Sequence, residues 1–216
     1  MTFEMNMPKG TAELLGNAVR RIAMTSIESW RPIAFGFEGM QMNMMHIDPL
    51  IMEDTTSVLS NLSDLEVIPT KDLSDKYKLV KFTFRDTLTP DKMVSEDFAF
   101  VNNGNRSIVN AIDKNRTVTM SVVFKRASGG FTAKENSALT VEEVGASLDN
   151  FIFLGSRHAE VENFTFDVVE AGLREERLLI NISSKSRNPR DVLSESVGTL
   201  ENLLDLFKQN LEKSHS

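Results

Sequence analysis

The sequence predicts an α+β fold, with helices toward both chain ends and antiparallel strands between them. Three observations carry this. Apolar residues recur at helical spacing near both ends, they alternate with polar ones through the middle and in residues 164–182, and clusters of Gly, Asn and Ser separate the alternating runs. The chain of 216 residues suffices for one globular domain or two small ones, enough to bury about 70% of its unfolded surface.

Taken in order, the elements begin with a short alternating start. Thr11 then stands where it can cap a helix running to about Glu28, whose broad apolar side carries Leu14, Leu15, Ala18, Val19, Ile22 and Ile27. Ile33 to Phe37 reads as a strand. Asp48-Pro49 offers an N-cap followed by the preset φ of proline, predicting a second helix to about Leu62. Val80, Phe82 and Phe84 alternate with Lys81, Thr83 and Arg85, and Val118, Met120, Val122 and Phe124 with Thr117, Thr119, Ser121 and Lys125. Each run predicts a half-buried antiparallel strand. Asn102-Asn103-Gly104-Asn105 and Ser128-Gly129-Gly130 supply turns that tolerate positive φ. Phe164, Phe166 and Val168, then Leu178, Ile180 and Ile182, form two more alternating runs around Gly172 and predict a hairpin.

A closing helix is predicted from Asn188 as cap and Pro189 as first residue. Its apolar residues fall at Leu193, Val197, Leu200, Leu204, Phe207 and Leu211, spaced 4, 3, 4, 3, 4. That is the seam of helix-on-helix packing. Val192 and Leu203 widen the apolar side, so the same helix can pack on its own sheet and on a partner. The pattern alone fits a core helix of a monomer equally well.

Composition narrows the function classes. With 24 basic and 31 acidic residues the net charge is −7, which repels phosphate backbones and speaks against strong direct DNA binding. Cysteine is absent, which excludes disulfide scaffolds, thiol nucleophiles and thiolate-held metals and suits an intracellular setting. No run approaches the ~20 apolar residues of a membrane span, and the start has no secretory signature. His46, His158 and His215 lack the spacing of a zinc site and are read as surface or hydrogen-bonded side chains. Phosphate-binding glycine loops and the serine elbow have no counterpart, so no catalytic residue, metal or cofactor is expected. Glu142-Glu143 and Glu175-Glu176 are read as solvated, because adjacent side chains diverge and cannot flank one bond. Met40, Met42, Met44 and Met45 are read as a strand edge packed in the core.

The run Leu15-Gly16-Asn17-Ala18-Val19-Arg20-Arg21-Ile22, followed by Phe35-Gly36-Phe37-Glu38-Gly39, resembles the signature helix and following strand of the RNA polymerase alpha subunit family. Later segments are similar in order: Asp54 to Val67, Phe82 to Phe98, Val118 to Lys134, and Phe166 to Ala171 leading to a hairpin and a closing helix. The resemblance implies two subdomains. A dimerisation subdomain would be built from both chain ends, 1–29 and 157–216, with a β-rich one, 30–156, inserted between. It further implies a non-catalytic role. Two alpha-type chains, identical or divergent, would pair through the closing helix and form the platform for the beta-type and beta-prime-type large subunits. Gly16 would allow close backbone approach and Asn17 would hydrogen-bond a neighbouring chain, while Arg20 and Arg21 project about 100° apart. In the family the second arginine touches the beta-type subunit, and Arg21 matches it.

Two departures from the family pattern are visible. Only ten residues precede Thr11, where the family has a further upstream strand, so one sheet edge is expected to be shorter or completed by a partner. The chain also stops at Ser216, so the family's DNA-contacting helical domain is not expected. A dimeric scaffold for an unrelated complex, and an enzyme or binding protein with a pocket between subdomains, stand as alternatives.

Overall fold

A computed structural model describes the chain apart from residues 41–49, 102–105, 139–140, 146 and 215–216, and apart from the side chains of 141, 142 and 214. The chain runs through β1 (Thr2–Pro8), α1 (Ala12–Thr25), β2 (Ser29–Phe37), α2 (Thr55–Ser63), β3 (Glu66–Pro69), β4 (Tyr77–Phe84) and β5 (Thr87–Leu88). A 3-10 turn at Pro90–Lys92 leads to β6 (Phe98–Val101), β7 (Val109–Asn110), β8 (Val118–Ala127) and β9 (Gly129–Phe131). Two single-turn helices follow, α3 (Ala133–Asn136) and α4 (Val141–Val144), then β10 (Ile152–Phe153) and β11 (Ser156–His158). The hairpin strands β12 (Val161–Glu170) and β13 (Glu175–Ser184) and the long α5 (Pro189–Ser214) close the chain. The class is α+β, as the sequence predicts. Two compact units divide these elements: Met1–Glu28 with Ala159–Ser216, and Ser29–His158.

In the unit made from the chain ends, a three-stranded antiparallel sheet has the order β1-β13-β12. Alternation explains its packing: Phe164, Leu178, Ile180 and Ile182 share one buried face. Ala12, Val19 and Ala23 of α1 and Ile27 just beyond it close over that face, with Val192 and Leu193 of α5. The sheet edge beside β13 is occupied by β1, paired from Thr2 opposite Asn181 to Pro8 opposite Glu175. Leu14 departs from its expected place on the apolar side and is 75% exposed. It lies about 200° around the helix from Ala12, away from the buried stripe.

The inserted unit is built on a six-stranded sheet along the path β4-β8-β2-β3-β6, with β10 also pairing with β2. Its core is aromatic. Phe124 meets Phe98 at 5.2 Å and Phe100 at 5.6 Å between ring centroids, and Trp30 meets Phe98 at 5.0 Å edge-on. Residues Ile33, Ala34, Val123 and Leu148 pack in a separate cluster. The expectation that β8 exposes one face is therefore corrected: Ser121 and Lys125 are buried, because the aromatic core covers the face of Met120, Val122 and Phe124 and the cluster around Val123 and Leu148 covers the other. The second helix is corrected as well. It begins at Thr55, where Asp54 accepts a hydrogen bond from the Ser57 amide at 2.7 Å, while Ile51 forms a β-bridge with Ala111. The Asp48-Pro49 start, the turn at residues 102–105, Met42, Met44, Met45, His46 and His215 lie outside the described residues. Met40 is buried in the aromatic core.

His158 is buried and hydrogen-bonded. Its Nδ1–H donates to the Ser29 carbonyl at 2.8 Å, which leaves Nε2 to accept from the Ser156 hydroxyl at 2.9 Å. Beside it the Lys125 Nζ donates to Asn136 Oδ1 at 3.2 Å and stands 3.4 Å from the Phe131 ring centroid. Burial, aided by the charges of Lys125 and Arg31 and opposed by the Ser29 bond, pushes His158 down from 6.5 to about 4. The unfolded chain thus binds this proton near pH 6.5 and the folded one only near pH 4, so the stability it contributes is complete above pH 6.5 and lost toward pH 4. Urea unfolding at several pH values should show the wild-type chain losing on the order of 3 kcal/mol more than His158→Gln across that interval. Parallel pH profiles would contradict this.

Candidate interaction surface

The first helix owes its seat to a glycine. A Cβ at Gly16 would come to 2.7 Å from Cδ2 of Phe166 on β12, so only the bare backbone lets that ring lie against the helix. The start of α1 is held from another strand: the Ala12 amide donates to Oε1 of Glu176 at 2.6 Å. Glu176 is 8% exposed, which corrects the reading of Glu175-Glu176 as a solvated pair. Three backbone amides, Ala12 foremost and then Gly10 and Thr11, with Lys9 nearby, hold its carboxyl below the usual carboxylate range. Sequence reasoning missed this residue because its partner is 164 positions away.

With α1 so seated, Gly16 faces the sheet, while Asn17, Arg20 and Arg21 are exposed. Arg21 stands about 180° from Ala12 and Arg20 about 80°, so Arg21 is the one on the outer face, beside Leu14. Among the described residues neither guanidinium has a hydrogen-bond or ion-pair partner, so both remain available.

The other helix, α5, begins as the sequence predicts, with Asn188 Oδ1 accepting from the Arg190 amide at 2.9 Å. Its approach is fixed by Glu160, 2% exposed, which accepts from the amides of Ser186 at 2.9 Å and Arg187 at 2.8 Å. The first turns pack down: Val192 and Ser196 are fully buried and Leu193 nearly so. Beyond Leu200 the packing ends. Residues 201–213 are all exposed, and Leu203, Leu204, Leu206, Phe207 and Leu211 stand between 46% and 62% exposed. Leu206 is a further exposed apolar side chain, about 100° around the helix from Phe207 and so off the seam.

Between α1, α5 and the β1 edge lies an apolar groove of about 240 Å³. Phe3 and Met5 form its floor, with Leu15 and Val19 on one side and Leu193 and Val197 on the other. The alternation Phe3, Met5, Met7 in the opening residues was the signal for this floor. Of the seam residues, Leu193 and Val197 line the groove, Leu200 packs against the core of the unit, and Leu204, Phe207 and Leu211 project from the exposed half of the helix. Among the described residues no group of His, Asp or Glu is arranged to hold a metal ion. No helix among them is long and apolar enough to cross a membrane.

No protein-family model matches the chain. The chain is similar to the DNA-directed RNA polymerase subunit alpha of Porphyromonas gingivalis, 29% identical over 202 residues that cover 91% of this chain and 59% of that protein. The subunit alpha of Mycoplasma mobile is 23% identical over 237 residues, covering 97% of this chain and 71% of that protein. That of Parasynechococcus marenigrum is 27% identical over 210 residues, covering 94% and 63%. The resemblance carried by the signature helix thus extends along nearly the whole chain, while the chain spans about three fifths of the length of the first of these relatives.

The Gly16 contact gives a direct stability test. Gly16→Val would force a branched side chain against the Phe166 ring and should destabilise the chain by about 1–3 kcal/mol, read from urea unfolding. A variant as stable as wild type would show that the ring moves aside freely.

Proposed function

We propose that this chain, a divergent counterpart of the N-terminal part of RNA polymerase alpha subunits, is an assembly subunit of a multisubunit DNA-directed RNA polymerase. The observation that carries the reading is the exposed apolar half of α5 next to an apolar groove on the same unit. Five large apolar side chains within nine residues are rarely left to water on a soluble surface, and they mark a place where another protein binds. The partner read here is a second alpha-type chain. Leu193, Val197, Leu200, Leu204, Phe207 and Leu211, joined by Leu203, form the dimer interface, and each chain's groove receives side chains from the other. The paired units then offer their α1 outer faces to the large subunits, with Arg21 as the principal contact to a beta-type chain and Asn17 and Arg20 beside it, while Gly16, which the resemblance had grouped with them, faces the sheet and acts only through the seat of the helix. A guanidinium suits that place because its planar fork holds carboxylates or carbonyls at a desolvated interface. The beta-prime-type chain completes the assembly. The work is architectural, performed inside the cell where transcription takes place.

The dimer is testable without disturbing the fold, because Leu204 and Phe207 are 53% and 62% exposed in the single chain. Leu204→Glu with Phe207→Glu would bury two unpaired carboxylates in the dimer and none in the monomer. Light scattering should move from twice the 24.2 kDa chain mass to the chain mass, with circular dichroism unchanged. A persistent dimer would place its interface elsewhere. For the large-subunit contact, pull-down of the beta-type subunit from the same source at matched dimer concentration should weaken strongly with Arg21→Ala. Truncating a buried interface charge costs about 2–5 kcal/mol, whereas an exposed arginine costs about 0–1. Loss with Arg20→Ala instead would move the contact to that residue, and equal capture by both variants and wild type would remove it from this pair.

A further inference from the structure

An α-helix leaves its first N–H groups without internal partners, and a side chain at the cap position ordinarily supplies one. In α1 that residue does not. Thr11 has the helical-region dihedrals φ −109° and ψ −22° and makes no side-chain cap bond, and its hydroxyl donates instead to the Pro8 carbonyl at 2.7 Å. The acceptor comes from β13: Glu176 Oε1 takes the Ala12 amide at 2.6 Å from a buried position opposite Met7 of β1. The backbone around it is tied to the hairpin too, the Lys9 amide donating to the Arg174 carbonyl at 3.0 Å.

Four residues further along, Phe166 of the other hairpin strand meets Gly16. A helix held at two points on one face, by one ligature to β13 and one contact with β12, has its rotation about its own axis fixed. Arg21 is nine residues from Ala12, half a revolution around, so the rotation set by these two points decides where Arg21 faces.

We propose that Glu176 is a positioning residue for the α1 outer face: by anchoring the first turn of the helix to the hairpin, it orients Asn17 and Arg21 toward the large subunit. This rests on the assembly reading above. A carboxylate is suited to the task because it accepts several amides at once and its charge complements the positive end of the helix dipole.

Hydrogen exchange and capture of the beta-type subunit, measured on the whole chain with Glu176→Ala and Glu176→Gln, separate the possibilities. In Glu176→Ala the amides of Ala12 to Leu15 should exchange about tenfold faster, with α5 protection and dimer mass unchanged. Capture at matched folded dimer should fall by a similar factor. Glu176→Gln keeps an acceptor oxygen without the charge and should lose only about two- to threefold in each. Should Glu176→Ala fail to fold, the Gln variant alone decides, and unchanged exchange and capture in it overturn the proposal. Faster exchange with undiminished capture also overturns it, leaving Glu176 as a helix cap without a positioning role. If the wild-type dimer itself captures no large subunit, the assembly reading fails and the positioning role falls with it, while the exchange arm still reports whether Glu176 caps α1.

Discussion

The hairpin of β12 and β13 is the constraint on which the unit built from the chain ends depends. Its buried face carries Phe164, Leu178, Ile180 and Ile182, and α1 and the first turns of α5 bury apolar residues against it. One small residue makes this possible: the Phe166 ring occupies the place where any other residue at position 16 would carry its Cβ. A three-stranded sheet has limited area, and it satisfies α1 and only the first turns of α5. The 26-residue α5 is about 39 Å long, and its last three to four turns find no apolar surface in their own chain. The exposed seam is thus a consequence of a short sheet carrying a long helix, and the pairing proposed above would cover it.

Buried polar groups do the fastening. Glu176 holds the start of α1 and Glu160 holds the loop that feeds α5, each accepting backbone amides that would otherwise be buried without partners. The two carboxylates sit near opposite ends of the hairpin, Glu176 at the beginning of β13 and Glu160 just before β12, beside the chain leaving β13. In the inserted unit the buried polar side chains among the described residues are one cation and neutral groups. Lys125 has an amide oxygen and an aromatic face as partners, and His158 remains neutral between Ser29 and Ser156.

For an assembly subunit the division of labour within one helix pair follows from these contacts. The seated face of α1 and the first turns of α5 make the unit, while the distal half of α5 and the outer face of α1 stay exposed, where the proposed assembly role places its partners. Interaction energy at such surfaces resides in a few anchors, and the aromatic Phe207 and the guanidinium of Arg21 are the residue types that commonly supply it.

Local patterning determined much of the fold from sequence alone. The hairpin strands, the helix from Asn188 and Pro189, the signature helix and the strands around Phe35, Phe82 and Met120 were legible because alternation and helical spacing act within a few residues. What only the tertiary structure decided involves partners distant in sequence. Thr11 looked like the cap of α1, but the cap is Glu176, since the sheet brings a better acceptor to the same amide. Lys125 and Ser121 looked solvent-facing, but in this unit clusters pack on both faces of the sheet and leave β8 no solvent face. Leu14 looked buried because it is apolar, and the rotation of α1 imposed by Gly16 and Phe166 turned it outward. In the candidate surface, the spacing of Leu193 to Leu211 could be read but not which half of the helix its own sheet would cover. Periodicity defines an apolar face, and only the extent of the surface opposite decides how much of that face is left for a partner.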